Sequence, residues 1–168
     1  MQFHYNRHYE GYVVNTNNAV ANATANGISV QASNLTSLIR SVGRLPAPLN
    51  NTVRNQGGGA WNHALFFKQL APSEGHATGL GEEGAISQPL KDAISLSFGT
   101  VDDMVTELTA AARQVFGSGW AWPCYTGNTT APLAITTTPN QDNPLMGQLP
   151  GAPPVTAAGC TPILVIDV

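Results

Sequence analysis

Histidines are the side chains of this sequence best suited to bind a metal ion or to transfer protons, and there are four: His4, His8, His63 and His76. His4, His8 and Tyr12 follow one another at a spacing of four, which places them on one face of a helix. Two imidazoles and a phenol on one stripe indicate metal binding or proton transfer, although a solvated polar face fits them as well. A lone histidine on an apolar helix face is more often a hydrogen-bonded packing residue than a ligand.

His63 follows three consecutive glycines in the segment GGGAWN, residues 57–62. Each glycine inside a helix costs about 1 kcal/mol relative to alanine. Either the helix begins after the glycines, or their missing side chains make room for something. Gly59 lies one turn before His63 on the same face, which would leave a gap of side-chain size beside the imidazole. We favour this second interpretation, in which another group fills the gap.

Asp167 follows the apolar segment PILVI, residues 162–166. A carboxylate buried there needs a counter-charge, hydrogen bonds or a metal ion, whereas one that emerges into water at the strand end needs none of these. Imidazoles from two helices and a carboxylate from a strand suit a first-row metal with nitrogen and oxygen ligands. A metal site is therefore one hypothesis for these residues.

The elements that must position these side chains are predicted as helices first and strands afterwards. Apolar periodicity predicts helices at residues 4–20, 35–40, 51–70, 87–98 and 101–116. Short aromatic or β-branched runs predict strands at residues 119–125, 133–138 and 163–167, with loops at 73–84 and 143–162. This order predicts an α+β fold in two layers.

The composition and one false motif exclude several classes of protein. The 168 residues are 42% hydrophobic and 10% charged, which is not the composition of a disordered chain. A net charge of -3 gives no basic surplus for nucleic-acid phosphates. No apolar run reaches the roughly 18 residues that cross a bilayer. The segment GLGEEG, residues 79–84, matches a dinucleotide fingerprint, but no hydrophobic strand precedes it and two glutamates would face the pyrophosphate.

Five segments, in order, resemble the iron/manganese superoxide dismutases along nearly the whole chain. They are FHYNRHYEGYV at 3–13, NQGGGAWNHALFF at 55–67, FGSGWAW at 116–122, TPNQDNPLM at 138–146 and PILVIDV at 162–168. The resemblance implies an N-terminal helical hairpin, residues 1–72, packed on a C-terminal helical layer with a small three-stranded antiparallel sheet, residues 73–168.

The same resemblance implies the metal ligands. Members of the family hold their metal with three histidines and one aspartate around a bound water or hydroxide. By position, His4, His63 and Asp167 match three of the four ligands. The remaining histidine comes a few residues after the aspartate in the family, in a Trp-Glu-His segment, and is absent from this sequence. We therefore expect a fragment shortened at both ends, without the family's last helices, with a catalytically inactive product or a metal-free structural protein of the same fold as alternatives.

The residues around these ligands indicate which metal is bound. In manganese-type members a glutamine from the sheet, matched here by Gln141, reaches the bound solvent, and a glycine matches Gly59. Iron-type members usually place the glutamine on the helix instead. The resemblance thus implies manganese, with iron compatible, and it implies that the Gln141 amide occupies the gap beside Gly59.

Four further residues match positions around the family's substrate channel. Trp120 and Trp122 resemble the tryptophans that wall the pocket, and His8 and Tyr12 resemble the pair at the funnel, which passes protons inward. Tyr9 stands where many members have a second histidine. After Trp122, the pair Pro123-Cys124 replaces a common aliphatic pair, which predicts a shortened first strand.

The implied activity is dismutation of superoxide by a metal that alternates between +3 and +2. Two superoxide anions and two protons give dioxygen and hydrogen peroxide.

The resemblance implies a homodimer or homotetramer for the full-length protein, and no nucleic acid or membrane as a partner. Mitochondrial, plastid and cytoplasmic locations are all compatible, and the sequence leaves the state of Cys124 and Cys160 open.

Overall fold

Helices precede a small antiparallel sheet in the computed structural model, which describes residues 1–70, 86–146 and 160–168. The predicted α+β fold is thereby confirmed. The predicted domain boundary at residues 72 and 73, the loop at 73–84 with His76, and the part of the second loop at 147–159 lie outside the described residues. Within the described ranges, no helix has both the length and the apolar character needed to span a bilayer.

Two long helical stretches dominate the N-terminal half. The first is a π-helical turn, His4–Tyr9, that continues as α1, Glu10–Ala25. After α2, Leu35–Ser41, and a 3-10 turn, Val42–Arg44, the second stretch comprises α3, Leu49–Thr52, a π-helical turn, Val53–Gly57, and α4, Gly58–Gln69. The helical backbone passes through all three glycines, so the explanation that the helix begins after them is wrong.

Two more helices, α5 (Gln88–Phe98) and α6 (Val101–Arg113), precede the sheet. Gly99 ends α5 with a φ of 91°, a left-handed conformation that favours glycine. Thr100 then caps α6, because its hydroxyl oxygen accepts a hydrogen bond from the Asp103 N–H at 3.0 Å. The break between α5 and α6 therefore lies at residues 99 and 100, between the helices predicted at 87–98 and 101–116.

The sheet is built around β1, Gly119–Tyr125, which pairs antiparallel with all the other strands. These are β2, Leu133–Pro139, β3, Thr161–Pro162, and β4, Ile166–Asp167. Of the predicted third strand, residues 163–167, only Ile166–Asp167 form a strand, and β3 lies at the end of the predicted second loop. The sheet therefore has four strands instead of the expected three, and β1 is not shortened at Pro123 as expected. The nitrogen and the carbonyl group of a strand residue face the same neighbour, and the Pro123 carbonyl oxygen accepts from the Ile163 N–H at 3.0 Å. Pro123 is tolerated in β1 because its missing N–H thus faces the interval between β3 and β4, where the ladder is interrupted.

The core consists of two clusters of buried apolar side chains. The helical cluster comprises Ala23, Leu38, Ile39, Val42, Leu49, Val53, Leu145 and Met146. The sheet cluster comprises Trp120, Trp122, Cys124, Cys160 and Val165, and a disulfide joins its two cysteines. Trp61 of α4 packs against both clusters, so α4 connects the helical half to the sheet.

Candidate metal centre

His4, His63 and Asp167 come together from three different elements. Asp167 Oδ2 lies 3.5 Å from His4 Nε2 and 3.9 Å from His63 Nε2, and the centroids of the two imidazole rings are 5.0 Å apart. Two donor atoms that share a first-row metal ion, each about 2.1 Å from it, lie about 3.0–4.2 Å apart. The carboxylate thus has the spacing to each imidazole that ligands of one ion would have.

His63 is buried, with one ring nitrogen engaged and the other free. Its Nδ1 lies 2.7 Å from the Gly59 carbonyl oxygen, which can only accept, so Nδ1 carries the proton. Burial is the main effect on the pKa of His63 and lowers it, which keeps the ring neutral. The Nε2 lone pair is buried and has no hydrogen-bond partner among the described residues. A buried lone pair of this kind, oriented by a carbonyl on the opposite nitrogen, fits a metal ligand.

The helix face that carries His4, His8 and Tyr12 is directed towards His63. The rings of His8 and Tyr12 lie 4.9 Å and 5.3 Å from the His63 ring, centroid to centroid. One ring nitrogen from each of the three histidines lies within 4.8 Å of the others. Because His8 is exposed while His63 is 1% exposed, His8 forms the solvent side of this group.

Tyr12 occupies the space beside Gly59. A Cβ atom at Gly59 would lie 2.5–2.6 Å from three atoms of the Tyr12 ring. The closest group to this gap is therefore the Tyr12 ring of α1, which packs on α4, and not the Gln141 amide as expected. Burial first, and the negative charge of Asp167 second, raise the pKa of Tyr12.

Gln141 is connected to His63 through Trp120. The Trp120 Nε1–H donates to Gln141 Oε1 at 3.3 Å, and the Trp120 ring meets the His63 ring edge-on at 4.8 Å. A Cβ atom at Gly58 would clash with the Gln141 carbonyl oxygen, so this glycine admits the Gln141 backbone. Trp122 lies 6.0 Å from Trp120, between centroids, and contributes to the sheet cluster.

The segment that carries Gln141 is held by polar contacts that the sequence analysis missed. Arg54 donates two hydrogen bonds, of 2.6 Å and 2.7 Å, to the carboxylate of Asp142, which is 3% exposed. This contact raises the pKa of Arg54. Asn62, next to His63, accepts from Asn143 Nδ2 at 2.7 Å. The sequence offers little signal for this contact, because Arg54 stands among polar residues and its partner lies 88 residues away.

Two phenylalanines add an apolar wall that was also missed. Phe66 and Phe67 lie 5.7 Å and 5.2 Å from His4, between ring centroids. They follow His63 by three and four residues on α4, a spacing that places them on its side of the helix. These rings cover one side of the site, while the side chains of His4 and Asp167 remain 30% and 32% exposed.

Comparison with known proteins identifies the family. The family model for the alpha-hairpin domain of iron/manganese superoxide dismutases matches residues 1–71, and the model for their C-terminal domain matches residues 86–168. The chain is 34% identical over 168 residues to proteins named superoxide dismutase [Mn/Fe] 2 from Staphylococcus aureus strains bovine RF122 / ET3-1 and Mu50 / ATCC 700699. The match covers 100% of this chain and 70% of each relative. With the two helical stretches, the small sheet and the cluster of histidines around Asp167, these matches show that the chain belongs to the iron/manganese superoxide dismutase family.

Proposed function

We propose that this protein catalyses the dismutation of superoxide at a single manganese ion bound by His4, His63 and Asp167. The observation that carries the proposal is the buried, unshared lone pair of His63 Nε2, which lies 3.9 Å from Asp167 Oδ2. Family membership supports the reaction. The fourth protein ligand that the resemblance implies is not among the 168 residues.

The side chains present fit a cation that cycles between two charges. A bound manganese ion supplies one-electron redox chemistry between the +3 and +2 states. Asp167 offers a negative charge, and His63 is held neutral by burial and oriented by the Gly59 carbonyl. One carboxylate and neutral imidazoles leave a net positive charge in the bound site, which attracts a small anion such as superoxide.

Tyr12 and His8 are suited to deliver the two protons that each pair of superoxide anions requires. The raised pKa of Tyr12 keeps its hydroxyl protonated at neutral pH, so it can donate a hydrogen bond or a proton. The His8 ring lies 4.9 Å from the Tyr12 ring and is exposed, which lets it exchange protons with water. The proposed path runs from solvent through His8 to Tyr12.

The choice of manganese over iron rests on Gln141 and Gly59. In the family, a glutamine carried by the sheet side and a glycine on the helix accompany manganese. Gln141 accepts from Trp120 through Oε1, so Nε2 is its donor towards other groups. Iron remains compatible with the same nitrogen and oxygen donors.

Metal analysis of the purified protein tests this proposal. We expect about one manganese ion per chain in the unaltered protein and loss of most of it in Asp167→Asn, which keeps the shape and removes the negative charge. The matched control is Asp92→Asn on α5, where the aspartate is bonded to Gln88 at the surface and the metal content should not change. Stoichiometric iron alone would overturn the choice of manganese. Equal metal content in both variants would overturn the site.

A further inference from the structure

The last segment of the chain has one more residue than the part of β1 that it faces. Cys124 opposes Pro162, and further along Ala121 opposes Ile166. Between these pairs, β1 has two residues, whereas the last segment has three, residues 163–165. An extra residue on one strand is a β-bulge, and it turns the side chains that follow it to the opposite face.

This bulge determines the face on which Asp167 lies. Trp120 opposes Asp167, and directly opposed residues of an antiparallel pair share a face. Because the Trp120 ring also contacts His63, this is the face that meets α4. If the register of β3 continued unchanged, Asp167 would oppose Gly119 and its carboxylate would point away from the histidines.

Gln69, the last residue of α4, satisfies the backbone at the bulge. Its Nε2 donates to the Val165 carbonyl oxygen at 2.5 Å, and its Oε1 accepts from the Val165 N–H at 3.0 Å. Val165 is fully buried, so both backbone groups need partners inside the protein. The side-chain amide thus takes the place that a neighbouring strand would have.

The same helix therefore holds the last segment and carries one of the histidines. Gln69 follows His63 by six residues, about 9 Å along the axis of α4. Val165 precedes Asp167 by two residues, about 7 Å along an extended chain. Attachment of Val165 to Gln69 consequently fixes how far the Asp167 carboxylate stands from His63.

We propose that Gln69 is a positioning residue for the metal site: by holding Val165, it maintains the bulge that directs Asp167 towards His4 and His63. The proposal rests on the function proposed above, because it takes Asp167 to be a ligand. Gln69 acts through the backbone of Val165. It therefore has a readout in the metal-free protein that is independent of enzyme activity.

The test replaces Gln69 with leucine, which has a similar size and forms neither hydrogen bond. In the metal-free protein, the Val165 N–H should exchange with deuterium about tenfold faster than in the unaltered protein, because it loses its acceptor. The dissociation constant for Mn²⁺ should rise by about 10–100-fold, as for other groups that orient metal ligands. Gln88→Leu is the matched control, because the Gln88 amide bonds only to the exposed Asp92 in the described structure, and neither quantity should change.

A second variant, Gln69→Glu, keeps the acceptor for the Val165 N–H but cannot donate to its carbonyl. The carboxylate repels the Val165 carbonyl oxygen, so the attachment should be weaker than with glutamine. The Val165 N–H should therefore exchange faster, and Mn²⁺ should bind more weakly, than in the unaltered protein. This variant decides the question if Gln69→Leu does not fold. Unchanged exchange at Val165 in the folded variant would overturn the proposed contact. Faster exchange with an unchanged affinity for Mn²⁺ would overturn the positioning role. Failure of the unaltered protein to bind Mn²⁺ would instead contradict the proposed function, and the exchange data would still decide whether Gln69 holds the bulge.

Discussion

Two glycines beside His63, Gly58 and Gly59, leave room for groups from other parts of the chain. Gly59 admits the Tyr12 ring and Gly58 admits the Gln141 backbone, so adjacent glycines accept groups from two different parts of the chain. Both groups lie too close to the helix to leave room for the methyl group of an alanine at either position. The glycines lower the intrinsic stability of the helix, but they permit close packing around the His63 imidazole.

Replacement of Gly59 by alanine should displace the Tyr12 ring. We expect a loss of about 1–3 kcal/mol in the free energy of unfolding of the metal-free protein, because the new methyl group overlaps the ring. Urea denaturation measures this. Gly11→Ala in α1 is the control, since no described atom outside the adjoining helix backbone lies within 4 Å of the new Cβ, and it should gain up to about 1 kcal/mol. Equal stability of Gly59→Ala and the unaltered protein would contradict the observed packing.

The sequence could predict the stripe of His4, His8 and Tyr12, because a spacing of four fixes one helix face regardless of tertiary structure. It could also predict a gap beside His63. It could not predict that Tyr12 fills the gap, because this depends on how α1 packs against α4. The resemblance named Gln141 for that space, whereas the structure connects Gln141 to Trp120.

At the scale of elements, α4 organises the site. It carries His63, contacts both core clusters through Trp61, and ends in Gln69. The turn that precedes it carries Arg54, which holds the turn after β2 through Asp142.

Helices and the first two strands were predictable from periodicity and composition. The two short strands of the last segment were not predictable, because their bounds depend on the register against β1.

Loss of the Arg54 side chain should destabilise the fold through Asp142. Arg54→Met keeps most of the apolar volume but leaves a carboxylate that is 3% exposed without its partner. The expected loss in the free energy of unfolding is about 3–5 kcal/mol. Arg113→Met, at the exposed end of α6, should change it by no more than about 0.5 kcal/mol. Denaturation curves that coincide for the two variants would show that the buried ion pair does not stabilise the fold.

At the scale of the whole molecule, the disulfide between Cys124 and Cys160 connects the centre of the sheet to the segment that carries Asp167. The two cysteines are 36 residues apart in sequence, and their Cα atoms are 5.6 Å apart. Disulfides persist mainly in oxidising environments. Two cysteines alone left this pairing open at the sequence level, because spacing does not reveal which strands become neighbours.

The paired variant Cys124→Ser/Cys160→Ser should unfold more easily than the oxidised protein. Removal of a cross-link over this separation costs about 2–4 kcal/mol, because the unfolded chain gains conformational freedom. Chemical denaturation with and without a reductant measures the effect. The reductant should destabilise the unaltered protein and leave the paired variant unchanged. Identical transitions of the unaltered protein in both conditions would mean that the disulfide does not contribute to stability.

The proposed metal site is tested most simply by an anomalous difference map, recorded near the manganese absorption edge, from crystals of the protein grown with Mn²⁺. We expect one peak, in contact with His4 Nε2, His63 Nε2 and Asp167 Oδ2 at once. A map without a peak between these atoms, or with the ion bound elsewhere, would contradict it.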